Sequence, residues 1–315
     1  MCCSVCSAVG FCSNCWRCAG GTSNLVRVTP TGRYGKATQF AVKARRNYHI
    51  NHYASGYEAD RLNTGSGQLE CARTRELLVT FLPPPPAVTL DVGGGPGAYA
   101  CWLANRGYEV HLTDIAPLHV EMAIAASSRQ PEAPLASVTV GDARSLSWND
   151  KTVDAVLLLG PLYHLTARAD RIRALTEAQR VLKLGGILFA VGISRFASTV
   201  DGLRSGFLKD AQLADIVDRD LKDGQHRNPT TRPEYFTDAF FHHPDELRQE
   251  VTEAGFVLTG VYGLEGPAWV ISDFDEWWAN PAYRERLLKI ARALETEPSM
   301  LGVSAHIMAV ARKSF

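Results

Sequence analysis

The sequence predicts an α/β fold in which a mostly parallel sheet is covered by helices on both faces. Three observations carry this. Strand-like and helix-like segments alternate from residue 87 to residue 193. The strand-like segments are apolar on both faces, as strands are when helices cover a parallel sheet on either side. The first strand runs into a glycine turn, Leu90-Asp91-Val92-Gly93-Gly94-Gly95-Pro96-Gly97, which opens a helix, and a lone acid, Asp114, follows 23 residues after Asp91. Glycines permit tight or left-handed backbone and close ligand approach, and a helix start offers unpaired N–H groups. A carboxylate at the end of the next strand can accept both hydroxyls of a ribose. This geometry suits a cofactor that contains adenosine.

The elements follow in order. Residues 1–46 lack periodicity and read as a Cys-rich tail outside the fold, with a domain over 47–315. Tyr53, Tyr57, Glu58 and Arg61 share a first helix, and Gln68 to Phe81 form a second, ended by Pro83 to Pro86 because proline lacks the donor and clashes with the preceding turn. Ala87–Val92, Glu109–Thr113, Ala136–Val140, Asp154–Leu159 and Ile187–Ile193 are five strands. Helices Ala98–Asn105 and His119–Ser127 separate the first three. Pro244–Ala254 is a further helix, and Phe256–Tyr262 and Val303–Ala311 are two closing strands. Two insertions, 194–241 and 264–300, read as a helical lid, the second carrying Trp269, Trp277, Trp278 and Tyr283. The tryptophans suit a lid core or an aromatic cage for a cationic acceptor. The glycine loop, Asp114, Asp142 and Gly160 all follow strand ends, so they converge on the rim where such sheets bind ligands.

Composition narrows the function. The 315 residues are 46% hydrophobic and 21% charged, as in an ordinary soluble globular protein. Lys plus Arg and Asp plus Glu number 33 each, which offers no phosphate-tracking surface for nucleic acid. No apolar run reaches the roughly 18 residues of a bilayer span, so no membrane partner and a cytoplasmic location are expected. Six of the eight cysteines (Cys2, Cys3, Cys6, Cys12, Cys15, Cys18) crowd the first 18 residues. They read as a disordered tail, even one ahead of a downstream translation start, as metal ligands, or as acylation sites at Cys2 and Cys3. The spacing matches neither a zinc ribbon nor a ferredoxin run, and no bound metal is expected.

These motifs resemble the class I S-adenosylmethionine-dependent methyltransferases, particularly bacterial small-molecule members. The resemblance covers Asn47 to the C-terminus and is strongest from Leu90 to Ile193. It implies a Rossmann-like seven-stranded sheet and S-adenosyl-L-methionine as cofactor. Asp91-x-Gly93-x-Gly95-x-Gly97 is similar to the family's first motif, and Asp114 to its ribose-binding acid. Gly141-Asp142-Ala143 is similar to the motif that meets the adenine, Asp142 through its carboxylate and Ala143 through its N–H. The run from Asp154 through Leu159 to Tyr163 and His164 resembles strand four and the loop beneath the reacting methyl, with Leu159 at the cofactor. Arg180-Val-Leu-Lys-Leu-Gly185-Gly186 resembles the turn into strand five, although Leu184 stands where a proline is usual.

Alternatives stand beside each reading. Gly93 to Ala98 also fits Gly-x-Gly-x-x-Ala, a dinucleotide pattern, so an NAD(P)-dependent oxidoreductase is the competing enzyme, and a non-catalytic S-adenosylmethionine-binding protein the competing class. Asp91 equally braces its loop, and Asp142 equally forms a turn. Arg61, with Tyr53 and Tyr57, covers the cofactor's methionine end or makes a helix salt bridge. Methyl transfer from a sulfonium is mainly positioning, worth roughly 7–11 kcal/mol, and needs a base only for a neutral hydroxyl or a protonated amine. Tyr163 and His164 are the candidates for that role, or a structural aromatic pair. His242 and His243 suit a substrate role or capping and packing.

Overall fold

The computed structural model describes residues 61–314 except Thr231, and within Pro233 only the backbone. Tyr53, Tyr57 and the N-terminal cysteines lie outside the described residues. Helix α1 (Gly67–Phe81) precedes the sheet, burying Leu69, Leu77 and Leu78. Then β1 (Val88–Val92), α2 (Ala98–Ala104), β2 (Glu109–Asp114), α3 (Pro117–Ser128), β3 (Ser137–Val140) and β4 (Val153–Leu158) alternate. The short α4 (Pro161–His164) and α5 (Arg168–Val181) lead to the long β5 (Leu182–Ser194). The spatial order β3-β2-β1-β4-β5 is parallel throughout. Strand β9 (His306–Lys313) then pairs antiparallel with β5, and β8 (Phe256–Gly263) antiparallel with β9. Helix α8 (Pro244–Glu253) packs beside β8.

Both faces of the sheet are buried. One core holds Leu90, Val156, Leu188 and Ala309, and the other Leu112, Leu157, Phe189 and Val310. Alternate residues of each strand face opposite layers, so the central stretches of β4, β5 and β9 are apolar on both sides.

The expected seven strands are present, and the count among the described residues is corrected to nine. The first insertion contributes helices α6 (Ala197–Ser205) and α7 (Ala211–Asp223), then a hairpin of β6 (Gln225–His226) and β7 (Ala239–His242). β7 joins the sheet because β5 overshoots β4: Leu158 pairs with Ala190, whereas Ile193 and Ser194 pair with Phe241 and His242. Boundaries also move. β5 begins at Leu182 rather than Ile187, with Gly185 inside it at φ +75°. The last strand is 306–313 rather than 303–311, since 301–303 form a 3-10 turn. The second insertion forms α9 (Phe274–Ala279) and α10 (Pro281–Leu294), which share a small core with Leu69 of α1. Trp277 and Trp278 pack against that core, Trp278 stacked on Phe274 at 5.7 Å.

A polar tie holds β7 and α8 together. Arg171, Glu250 and His242 are all buried; Arg171 donates to Glu250 at 2.7 Å and lies 3.5 Å above the Phe240 ring. Burial alone would raise Glu250, but His242 and Arg171 outweigh it and hold the carboxyl near 2. Burial pushes His242 below the usual histidine range. His243 starts α8: its Nδ1 accepts the Asp245 N–H while Glu246 accepts the His243 N–H. Their geometry is thus that of packing and capping.

Candidate active site

The C-terminal ends of β1, β2, β4 and β5 form one rim, and the start of the antiparallel β9 joins it. Gly93, Gly95 and Gly97 take φ of +71°, +55° and +90°, values that L side chains avoid. Each has its own reason. A Cβ on Gly93 would sit 2.6 Å from Pro161 Cγ, so the loop after β4 closes onto the glycine turn. Gly97 lies at van der Waals distance from Ala123. Gly95 faces open space, so its backbone is the accessible part of the turn.

Asp114 is buried and organises this loop. Its Oδ2 accepts the Gly95 N–H at 2.9 Å, its Oδ1 accepts the Ala116 N–H at 2.8 Å, and His119 Nδ1 lies at 3.3 Å. Asp91 is 1% exposed, and neither of its carboxylate oxygens has a hydrogen-bond partner. Burial first and the Asp114 charge second push its carboxyl up to about 7.

Asp142 stands at the end of β3, where Arg144 grips both its oxygens, Nε at 2.9 Å and Nη2 at 2.6 Å, while reaching Asp170 at 3.0 Å. Ala143 and Leu159 are half-buried, packed against opposite cores. Tyr163 and His164 lie on α4 with ring centroids 4.5 Å apart; Tyr163 packs beside Ile193 and Phe241, and Phe236 stacks on His164 at 6.5 Å. The Tyr163 hydroxyl comes within 3.6 Å of where a Gly160 Cβ would be.

Arg61 makes a salt bridge at the start of α1. It chelates Glu70 of α1, with Nη2 to Oε1 at 2.9 Å. That pair lines a cavity of about 490 Å³ with Glu265, Trp269, Phe274 and His306. His306 Nδ1 bonds Glu265 Oε1 at 2.7 Å, and the other Glu265 oxygen accepts from Ser304 Oγ at 2.6 Å and the His306 N–H at 2.9 Å. Burial alone would lower His306, but Glu70 and Glu265 raise it above the usual histidine range. Ligand atoms of Glu70, Glu265 and His306 lie within 4.8 Å of one another, but Arg61 already spans both Glu70 oxygens.

Sequence reasoning missed this second constellation, for Glu265 and His306 are 41 positions apart. The available signal was the antiparallel β8–β9 pair, whose register sets Gly263 opposite Ile307. Two adjoining polar residues at the open end of such a hairpin must meet.

Comparison with known proteins agrees with this geometry. Residues 90–190 match a family described as a methyltransferase domain. A ubiquinone/menaquinone biosynthesis C-methyltransferase, UbiE, of Acidiphilium cryptum is 34% identical over 122 residues, 38% of this chain and 48% of the relative. The Zymomonas mobilis protein of the same name is 33% identical over 108 residues, 34% of this chain and 42% of the relative. The matched segment thus spans about half the length of these relatives. Among solved structures, a possible histamine N-methyltransferase of Thermotoga maritima superposes with TM-score 0.52 at 18% identity, over 85% of this chain and 100% of that one. A Methanosarcina mazei S-adenosylmethionine-dependent methyltransferase gives 0.51 at 20% identity, over 76% and 97%. At such identities the likeness is one of fold.

Fold, glycine turn and matched segment define a class I methyltransferase domain. Residues 90–190 match a methyltransferase domain, and the fold is that of the S-adenosylmethionine-dependent methyltransferases, whose cofactor is S-adenosyl-L-methionine. The residues fit that group: Gly95 leaves room at the turn, and Asp91 holds two unpartnered acceptor oxygens where a cationic amine would be welcome. No helix of the described residues is long and apolar enough to cross a membrane.

Proposed function

We propose that this chain transfers the methyl group of S-adenosylmethionine to a small-molecule acceptor. The observation that carries the reading is the pairing of an open, positive-φ Gly95 turn with two buried carboxylates: Asp114, tied to that turn, and Asp91, without a partner. When bound, the cofactor supplies an activated methyl on a positively charged sulfur. Asp114 orients the ribose, Asp91 meets the amine of the methionine end, and Ala143 and Leu159 border the adenine. Asp142, held in place by three N–H groups of Arg144, stands at the adenine end of the rim. Tyr163 and His164 wall the space above β4 and exclude water from the reacting methyl. The residues mainly position and dehydrate, the dominant contribution to such a transfer.

A small acceptor is supported by the equal 33 and 33 charge count, which gives no nucleic-acid surface, and by the quinone-pathway names of the curated relatives. The proposed place of work is the cytoplasm. The test is calorimetric titration with S-adenosylhomocysteine and, in parallel, NADH. Binding of the former alone is expected. Binding of NADH alone would replace this reading with that of an oxidoreductase.

A further inference from the structure

Resting on the reading above, we propose that the cavity between α1, Glu265 and β9 receives the methyl acceptor, that this acceptor is an acidic hydroxyl compound (a phenol or enol), and that His306 Nε2 takes its proton. Place is the first argument. β5 runs parallel to β1 and β4, so its C-terminal end lies on the cofactor rim, and Ile193 pairs directly with His306. The opposite wall, Glu70, lies close enough to Tyr99 in the helix opened by Gly97 for its charge to raise the Tyr99 phenol, after burial. The cavity therefore runs from Glu70, the neighbour of the glycine-turn helix, to the start of β9.

The second argument is the geometry of the dyad. Glu265 fixes the imidazole through Nδ1, the Ser304 hydroxyl fixes Glu265, and no described residue hydrogen-bonds Nε2. A histidine held at one nitrogen by a carboxylate and open at the other is the arrangement of a general base. The groups facing the imidazole are Glu265, Glu70 and Arg61, and the net effect of their charges and of burial is a more basic ring.

The third argument is charge accounting, which decides between a hydroxyl and a cationic amine. Both carboxylates beside His306 are engaged, and the third carboxylate of the cavity, Asp275, is engaged through Oδ1. Arg61 chelates Glu70, His306 and Ser304 hold Glu265, and Asp275 accepts the Gly65 N–H and the Gln68 amide at 2.8 Å each. Neither Glu70 nor Glu265 is left to hold an ammonium beside the imidazole, whereas imidazolium formed at His306, with Arg61 nearby, stabilises an oxyanion. Trp269 and Phe274 supply apolar walls. In the step, the O–H proton passes to Nε2 and an oxygen lone pair forms the O–CH₃ bond. The C–S pair stays on sulfur, giving a methyl ether and S-adenosylhomocysteine, and His306 then returns its proton to water.

The test uses para-nitrophenol, whose anion absorbs in the visible, titrated into the full chain saturated with S-adenosylhomocysteine, with binding of the latter measured by calorimetry. The expected result is bound nitrophenol whose ionisation midpoint lies roughly one pH unit or more below its value in solution, the scale of one adjacent opposite charge. His306→Gln is expected to return the midpoint to the solution value while S-adenosylhomocysteine still binds, which also reports an intact fold. Glu265→Gln is expected to give an intermediate midpoint, because the imidazole keeps its place but loses the charge that makes it basic. With phenol as acceptor, His306→Gln is expected to slow methyl transfer by roughly 10²–10⁴-fold. Nitrophenol that fails to bind, or an unchanged midpoint in His306→Gln, overturns the proposal and leaves the methyltransferase reading standing. Absence of S-adenosylhomocysteine binding to the wild-type chain overturns both.

Discussion

Asp91→Asn separates what the glycine turn costs the fold from what it gives the cofactor. In the folded chain Asp91 is pushed from 3.8 to about 7 by burial and by Asp114, with no donor to offset either. The folded state therefore keeps a proton that the unfolded chain releases. The stability tied to that proton is complete below pH 3.8, declines through the window, and is lost as pH rises through about 7. At about 1.4 kcal/mol per pH unit, with an unfolded value near 3.8, wild type should lose roughly 2–3 kcal/mol from this group between about pH 5 and pH 8.

Asparagine copies the protonated, neutral side chain at every pH, so Asp91→Asn should lack that loss. His306 and the other titrating groups are common to both proteins and cancel in the difference. Urea denaturation of the cofactor-free proteins at the two pH values measures it. The same variant should bind S-adenosylhomocysteine more weakly by roughly 1.5–3 kcal/mol at pH 8, the worth of a hydrogen bond to a charged group. Equal pH slopes for the two proteins, or an unchanged affinity, would refute the assignment of Asp91 as an unpaired carboxylate awaiting a cation.

Three further outcomes are expected. Asp114→Ala removes both the ribose acceptor and the anchor of the Gly95 N–H, so calorimetry should show S-adenosylhomocysteine binding weakened by at least roughly 1.5–3 kcal/mol. Gly95→Ala meets no atom within 4 Å, so thermal melts should show only the strain of a left-handed alanine, about 1–3 kcal/mol, while titration shows a larger loss of cofactor affinity; Gly93→Ala, driven into Pro161, should lower the melting temperature further. Arg171→Met strands the buried Glu250 carboxylate and should cost about 3–5 kcal/mol in urea denaturation. In wild type the Glu250 contribution is present above pH 4.5 and is lost only as pH falls through about 2.

What the sequence made legible is what is local in the chain. The β1 turn needs its glycines within five positions, and Asp114 follows one βα unit later, so spacing alone brings them together. α5 escaped because its buried face is Arg171, Ala174, Leu175, Ala178 and Val181. That spacing is helical, but three of the five are a charged residue and two alanines, so an apolar count sees little. β5 was read as starting late because Gly185-Gly186 signals a turn, whereas the register simply shifts there, Val153 facing Leu182 and Ala155 facing Ile187. Arg61 was legible as a cation near the site, but its partner, Glu70, stands nine positions on across a helix start.

The two ends of the site differ for a physical reason. Its proposed cofactor end consists of loop backbone and two carboxylates, and such a loop must be continuous in the chain to hold its φ angles. The other end is assembled from α1, the 265–269 turn and the start of β9, segments joined through the sheet, the small core around Leu69 and the bonds of Glu265 and Asp275. Contacts of that kind exist only once the fold closes, so no spacing motif encodes them. A change in the 264–300 insertion is therefore expected to reshape the proposed acceptor cavity through Trp269 and Phe274 without disturbing Gly95 or Asp114. Selectivity for the acceptor and affinity for the cofactor are, in this architecture, separable by mutation.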